Sequence, residues 1–284
     1  MFGFLNVYKP KGKTSHDVVA ILRRVTKIKQ IGHTGTLDPF AEGVLPICIG
    51  KSTRLIEYLK DDKAYIATVQ FGKSTDTYDI EGKVINTSDK KVNLQQITEE
   101  LDNFRGTISQ TPPIYSALKL NGKKLYEYAR KGETVEIKPR EITINKLDII
   151  NFDENAQTLE LYIDCSKGTY IRSIANDLGV NLGVYGHLIK LVRVKAGDFK
   201  IETAVTMDKL QTVEDVRANL LNPLSMLDFP KYELNESEFE RIIHGNPIEI
   251  SLNDCIAILT YDARIVSIGN VIDKRFKCSK VFER

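Results

Sequence analysis

The chain of 284 residues carries 40 Lys and Arg against 38 Asp and Glu, for a net charge of +2, with 42% hydrophobic and 27% charged residues. This is the balance of an ordinary globular protein with ample core. No run of 18 apolar residues occurs and MFGFLNVYKPKGKTS lacks the basic-then-apolar order of a signal peptide, so neither a membrane span nor export is expected. The four cysteines, Cys48, Cys165, Cys255 and Cys278, are widely separated and form no paired motif, which points to a reducing cytoplasm and no structural zinc.

In chain order, TSHDVVAILRRVTK predicts a helix capped by Ser15, with Val18, Val19, Ile21, Leu22 and Val25 at helical spacing. GHTGTLDPFAEGVLPICIGKST, from Gly32 to Thr53, then holds too many glycines and prolines for regular structure. Its end resembles a phosphate-binding loop. That loop needs a glycine at position 45, where Leu45 stands, and Pro46 lacks the N–H that a phosphate cradle uses. The nucleotide-binding reading therefore fails. Asp38 admits two readings: a rigid loop exposing one carboxylate, or the N-cap of a helix with Pro39 at its first position. His33, on the same grounds, reads as a loop hydrogen-bonding residue.

AYIATVQF (64–71) alternates as a strand and YDIEGKVI continues it as a hairpin around Glu81 and Gly82. LQQITEELDNFRG is a helix ending at Gly106. The Lys- and Tyr-rich segment 111–133 has few large aliphatics and reads as an extended loop with a short helix. LELYIDCS (159–166) is a strand, and GTYIRSIANDLGVNLG a helix starting near Thr169. LDFPKYELN reads as a linker, FERIIHGNPI as helical, and CIAILTYDARIVSIGNVI as two strands around Asp262 and Ala263. Irregular alternation of strands and helices predicts an α+β fold, a mixed sheet flanked by helices, with a small β-rich C-terminal module of about 50 residues, near the lower limit for independent folding. The expected division is 1–230 and 231–284.

Charge is unevenly spread. Residues 9–29 hold seven Lys and Arg against Asp17 alone, and residues 119–140 hold seven against three acids, whereas residues 202–240 hold nine acids against three bases. Each cluster alone reads as a solvated face, but together they suggest a basic surface for a polyanion.

Several of these stretches resemble, in order, the motifs of the TruB family of tRNA pseudouridine synthases. KPKGKTS (9–15) resembles the family's N-terminal motif and GHTGTLDPFAEGVLPICIGKSTR its central one. DKAYIATVQFGKSTDTYDIEG resembles its tyrosine strand and PPIYSALKLNGKKLYEYARKGE its RNA-gripping insertion, within residues 111–140. CSKGTYIRSIANDLG resembles its arginine motif and GHLIKLVRV its leucine segment. The tail is similar to a PUA-like RNA-binding module. Val192 departs from the pattern, which has a second basic residue beside Arg193, and this bears on one backbone contact only.

The resemblance implies isomerisation of uridine 55 in the T loop of tRNA to pseudouridine. The N1–C1′ bond breaks, the base turns, and C5 joins C1′. No cofactor and no metal are expected, because the reaction is redox-neutral. Asp38 would be the nucleophile, and aspartate is a residue type that is ionised at neutral pH without an activating base. Attack at C1′, addition to C6 and removal of a ribose proton all remain open for it. Tyr65 would stack on the base and relay a proton. Arg172 would pair with Asp38, Tyr170 would line the pocket, and Leu191 would pack on the base. The target must be flipped out at a cost of a few kcal/mol, with His33 filling the vacated space. The implied partner is the tRNA T stem-loop, bound by a cytoplasmic monomer with no obligate protein partner. Two alternatives stand beside it: a guide-RNA-dependent pseudouridine synthase subunit, against which the continuous insertion argues, and a non-catalytic RNA-binding protein, against which the intact Asp38, Tyr65 and Arg172 set argues. Few aliphatics and seven basic side chains predict that 111–140 is mobile until RNA is bound.

Overall fold

Strand-forming runs dominate the chain, and most of them join one sheet. In a computed structural model, which describes residues 1–283, β1 (Gly3–Lys9) leads into α1 (Ser15–Thr26), β2 (Ile31–His33) and β3 (Glu42–Ile49). After a 3-10 segment over Gly50–Tyr58 come β4 (Lys63–Phe71), the hairpin strands β5 (Lys73–Thr75) and β6 (Val84–Thr87), α2 (Leu94–Leu101) and β7 (Gly106–Gln110). The insertion holds a two-residue hairpin, β8 (Lys119–Leu120) with β9 (Lys123–Lys124), and α3 (Leu125–Arg130). Long β10 (Arg140–Asp153) and β11 (Thr158–Cys165) precede α4 (Ile171–Asn181), β12 (Gly186–Ala196), β13 (Phe199–Lys200) and β14 (Val205–Thr206). The rest is α5 (Val213–Ala218), α6 (Pro223–Met226), β15 (Lys231–Glu233), α7 (Glu236–Ile243), β16 (Ile248–Glu249), β17 (Cys255–Tyr261), β18 (Arg264–Ile272) and β19 (Arg275–Val281).

The main sheet has ten strands and runs β14-β1-β3-β12-β4-β11-β10-β7, with β2 on β3 and β13 on β12. The β1–β14 and β3–β12 pairs are parallel and the others antiparallel, so the fold is the α+β type with a mixed sheet. α1 lays Val18, Val19 and Leu22 on Leu5, Val7, Leu45 and Ile47, while α2 and α4 cover the other half of the sheet through Ile97, Leu101, Ile174 and Leu178. Each such buried aliphatic contributes roughly 1.5–3 kcal/mol.

Several expectations need correction. The α1 cap is Thr14, whose hydroxyl accepts from the Asp17 amide at 3.0 Å while the Asp17 carboxylate accepts the Thr14 amide at 2.8 Å. This capping box frees Ser15 for a contact described below. The glycine- and proline-rich stretch is irregular only over its first half. Val44, Leu45, Ile47, Cys48 and Ile49 are fully buried, and that continuous apolar run makes β3 a central strand despite Pro46. No helix follows Asp38, which removes the capping alternative. Val84 pairs with Thr75 rather than with β4, so the hairpin is built by β5 and β6. α4 does begin near Thr169 as expected, at Ile171 with Tyr170 in the cap position.

The tail forms a second sheet in the order β15-β17-β18-β19-β16. Asp262 (φ 50°) and Ala263 (φ 58°) supply the two left-handed positions of its tight hairpin. The expected linker is partly structured, because Lys231–Glu233 adds in parallel to β17. Ile258, Ile265, Ile268 and Phe282 also pack in one cluster with Phe4, Val44, Cys48 and Leu55, so residues 231–283 share a core with the main sheet.

Candidate active site

The loop between β2 and β3 is pinned by its own carbonyls. Gly35 O and Thr36 O accept from Arg193 at 3.0 and 3.4 Å, and Pro39 O accepts from the Gly12 amide at 2.8 Å and from Lys9 Nζ at 3.4 Å. Ser15 Oγ donates to Leu37 O at 3.2 Å and accepts the Leu37 amide at 2.8 Å. Leu37 and Phe40 are buried on either side of Asp38, and the Asp38 side chain is 36% exposed. The result is one carboxylate held on a loop with little freedom. Gly43, at φ 105°, lets β3 approach β12, because a Cβ there would lie 2.3 Å from Arg193 O.

Arg172, from the first turn of α4, meets Asp38 with Nε to Oδ2 at 2.9 Å and Nη2 to Oδ1 at 3.5 Å. Its remaining donors reach Thr77 O at 2.9 Å and Tyr115 O at 2.8 Å, and Nη1 lies 3.4 Å from Asp79 Oδ2. One guanidinium thus ties the Asp38 loop, the β5–β6 turn and the insertion together, a task for which its planar fork of donors is suited. Asp79 is itself buried, accepting from Thr77 Oγ1 at 2.6 Å and the Glu81 amide at 3.0 Å. Burial raises its pKa, against the opposing pull of the Thr77 hydroxyl and Arg172.

Tyr65 on β4 sits between Ile163 of β11 and Arg193 of β12 in register, and Leu191 faces Ala67 one step along. The Gln110 side chain clamps the Tyr170 backbone from both sides, Oε1 accepting its amide at 2.8 Å and Nε2 donating to its carbonyl at 3.0 Å. These placements converge on a cavity of about 420 Å³ lined by Asp38, Lys63, Tyr65, Tyr170, Arg172 and Leu191, among others. Its size lies in the range of ligand pockets, roughly 300–1,000 Å³. A nucleophile-class carboxylate, an aromatic face, an apolar wall and a fixed cation therefore meet in one space. Such a set can hold a planar base and present a carboxylate to the sugar attached to it.

Five of the six residues singled out from sequence thus meet at this cavity. His33 does not line it. His33 lies on β2, with a buried Nδ1 that has no hydrogen-bond partner, and burial lowers its pKa, with Arg193 adding to the effect. Four charged residues at or beside the site escape the sequence reading: Lys63, which lines the cavity, and Asp79, Lys9 and Arg193 next to it. Asp79 lies inside a quoted motif, yet nothing in its spacing marks it. Lys9 was counted on the basic face but is fully buried, donating to Pro10 O at 3.0 Å and Lys13 O at 2.5 Å, and burial lowers its pKa to about 8. Arg193, beside Val192, is also fully buried and so takes no part in the exposed basic face. The GKS triplet is likewise structural: Ser52 Oγ donates to Gly3 O at 2.7 Å and Lys51 donates to Phe282 O.

Comparison with known proteins gives consistent matches. The family model for the N-terminal domain of TruB family pseudouridylate synthases matches residues 23–171, and that for the tRNA pseudouridylate synthase B C-terminal domain matches residues 172–227. The chain is 43% identical over 270 residues to tRNA pseudouridine synthase B of Caldanaerobacter subterraneus, covering 94% of this chain and 93% of that protein. It is 40% identical to the Staphylococcus aureus protein of the same name, covering 99% of each. Among solved structures, a chain of an H/ACA RNP bound to a substrate RNA containing 2'-deoxyuridine shares the fold, with a TM-score of 0.73 and 22% identity over all of this chain and 86% of that one.

Proposed function

Since this chain belongs to the TruB family of pseudouridylate synthases and is an isomerase that acts on tRNA, we propose that its target is uridine 55 of the T loop and that Asp38 is the nucleophile. The observation that carries this reading is the Asp38–Arg172 pair, 2.9 Å apart at the wall of the cavity that Tyr65 and Leu191 also line. An ionised carboxylate pinned by a buried guanidinium needs no activating base, and pairing holds it in one direction. The base, flipped from the T loop, stacks on Tyr65 for about 1–3 kcal/mol and packs on Leu191. Tyr170 borders the sugar side, and His33 stands in for the displaced base within the RNA.

Residues 1–230 carry the chemistry in this reading, residues 111–140 grip the RNA, and 231–284 act as a PUA-like RNA-binding module. Exposed Arg23, Arg24, Lys27 and Lys29 together with the Lys and Arg of the insertion supply the phosphate contacts. The protein works as a monomer, because the insertion gives it its own grip on tRNA. The test is an unmodified tRNA transcript incubated with the protein and mapped for pseudouridine by carbodiimide labelling and primer extension. A stop at position 55 is expected; modification elsewhere, or dependence on an added guide RNA, would overturn the assignment.

A further inference from the structure

Arg193 is fully buried, and among the described residues no carboxylate comes within ion-pair distance of it. A buried cation without a counter-charge must spend its donors on neutral acceptors. Three are found: Nε donates to Val44 O at 2.7 Å, Nη2 to Gly35 O at 3.0 Å, and Nη1 to Thr36 O at 3.4 Å. A guanidinium has five N–H groups, so two remain, one on each terminal nitrogen. The residue directly across the strand pair is Tyr65. Opposed residues of an antiparallel pair point to the same face with Cβ atoms about 4.5–5.5 Å apart.

We propose that Arg193 is a positioning residue for the isomerisation: it donates a hydrogen bond to the Tyr65 hydroxyl oxygen and so turns the phenolic hydrogen into the cavity. This inference rests on the reading of Tyr65 as the base-contacting residue. The charged and titratable groups facing Tyr65 are Arg193 from β12, Cys165 from β11 and Asp38 from the loop. Burial raises the phenol's pKa, Cys165 and Asp38 push the same way, and the charge and hydrogen bond of Arg193 oppose them. With its oxygen occupied by Arg193, the hydroxyl proton has the open cavity as its outlet.

The chemistry gives that arrangement a use. Once C5 is joined to C1′, the base still carries hydrogen on C5 and lacks it on N1. The Tyr65 O–H proton passes to the N1 lone pair, giving an N1–H iminium. The phenolate then takes the C5 proton, whose bonding pair becomes the C5=C6 double bond as the N1=C6 pair closes onto nitrogen. The phenol ends as it began, and its transient negative charge sits against the Arg193 guanidinium.

The test begins without RNA. In protein labelled with carbon-13 at the tyrosine ζ position, the Tyr65 signal is assigned by its loss in Tyr65→Phe and followed against pH. Arg193→Lys keeps the charge but loses the fork, and should move the Tyr65 titration upward by about one pH unit or more. Coincident titrations overturn the proposal. If Arg193→Lys does not fold, nitrogen-15 guanidinium spectra of wild type and Tyr65→Phe serve instead: the Arg193 terminal nitrogens should shift when the hydroxyl is removed, and unchanged signals overturn it. On T stem-loop RNA, Arg193→Lys should slow single-turnover isomerisation about tenfold beside Tyr65 but by less than about twofold in the Tyr65→Phe background. Equal losses in both backgrounds would mean that Arg193 acts on the loop alone. The spectra stand apart from any activity, so failure of the hydrogen bond and failure of the assigned reaction are distinguishable.

Discussion

Replacing Arg172 by lysine keeps the positive charge and removes the fork. Arg172 serves two carboxylates and two backbone carbonyls at once: Asp38 at 2.9 Å, Asp79 at 3.4 Å, Thr77 O at 2.9 Å and Tyr115 O at 2.8 Å. A lysine ammonium is a compact charge that can follow one carboxylate and leaves most of the other acceptors without a donor. Each buried acceptor left unpaired costs about 1–3 kcal/mol, so the two carbonyls place the gross loss at roughly 2–6 kcal/mol. Both carbonyls lie on turn or loop segments that can relax toward water, which favours the lower end. A loss of ~2 kcal/mol corresponds to about 3–4 °C in the melting temperature for a chain of 284 residues. The Asp38 carboxylate also loses its bidentate partner, and misplacing a reacting group by about 1 Å can cost 10²-fold in rate. The assay is single-turnover release of tritium from T stem-loop RNA tritiated at uridine C5, beside filter binding and thermal unfolding. The expected result is binding within about threefold of wild type and a rate down by about 10²-fold. A variant that melts lower yet reacts at the wild-type rate would refute the reasoning, since Arg172 would then be a fold element only.

Tyr65→Phe keeps the ring and should bind T stem-loop RNA within about threefold while isomerising it at least about tenfold more slowly; an unchanged rate would reduce Tyr65 to a stacking platform. Lys9, with a folded pKa of about 8 against an ordinary 10.5, predicts a pH effect on stability. Between those values the unfolded chain holds a proton that the folded one releases, so stability rises with pH there. Urea unfolding should show wild type gaining about 2 kcal/mol over Lys9→Met between pH 8 and 9.5, and a constant difference would contradict the buried-cation account. Backbone amides of 111–140 should exchange fast in the free protein and slow on binding T-loop RNA, whereas equal protection in both states would show a permanently docked segment.

What the sequence disclosed and what it hid divide along a physical line. Local signals carried far: apolar spacing located α1 and α2, and the Asp262–Ala263 turn marked the tail hairpin. Glycine and proline content misled at β3, because composition says nothing of a run buried from both sides. Asp38, Tyr65, Arg172 and Leu191 are distant in the chain, and no periodicity joins them. The β4–β12 register and the first turn of α4 do so, and only the motif resemblance anticipated it. Lys9, counted with the basic face, and Arg193, given no role from sequence, are charges whose environment is set by tertiary packing. A lysine reads as solvated until three carbonyls are found around its ammonium group. The tail, too, looked separable, but Ile258, Ile265, Ile268 and Phe282 bury against Phe4 and Leu55. Truncation at residue 230 would therefore uncover core, and point changes on the tail's outer face are the cleaner test of whether it contacts RNA.

The central claim is that Asp38 is the nucleophile, and Asp38→Asn tests it with the smallest change in shape. Tritium release from T stem-loop RNA tritiated at uridine C5 is measured under single-turnover conditions for wild type and variant, with RNA affinity measured in parallel. The account predicts stoichiometric release by wild type, none by Asp38→Asn, and affinities that agree within about threefold. Measurable release by the variant at matched occupancy would contradict it.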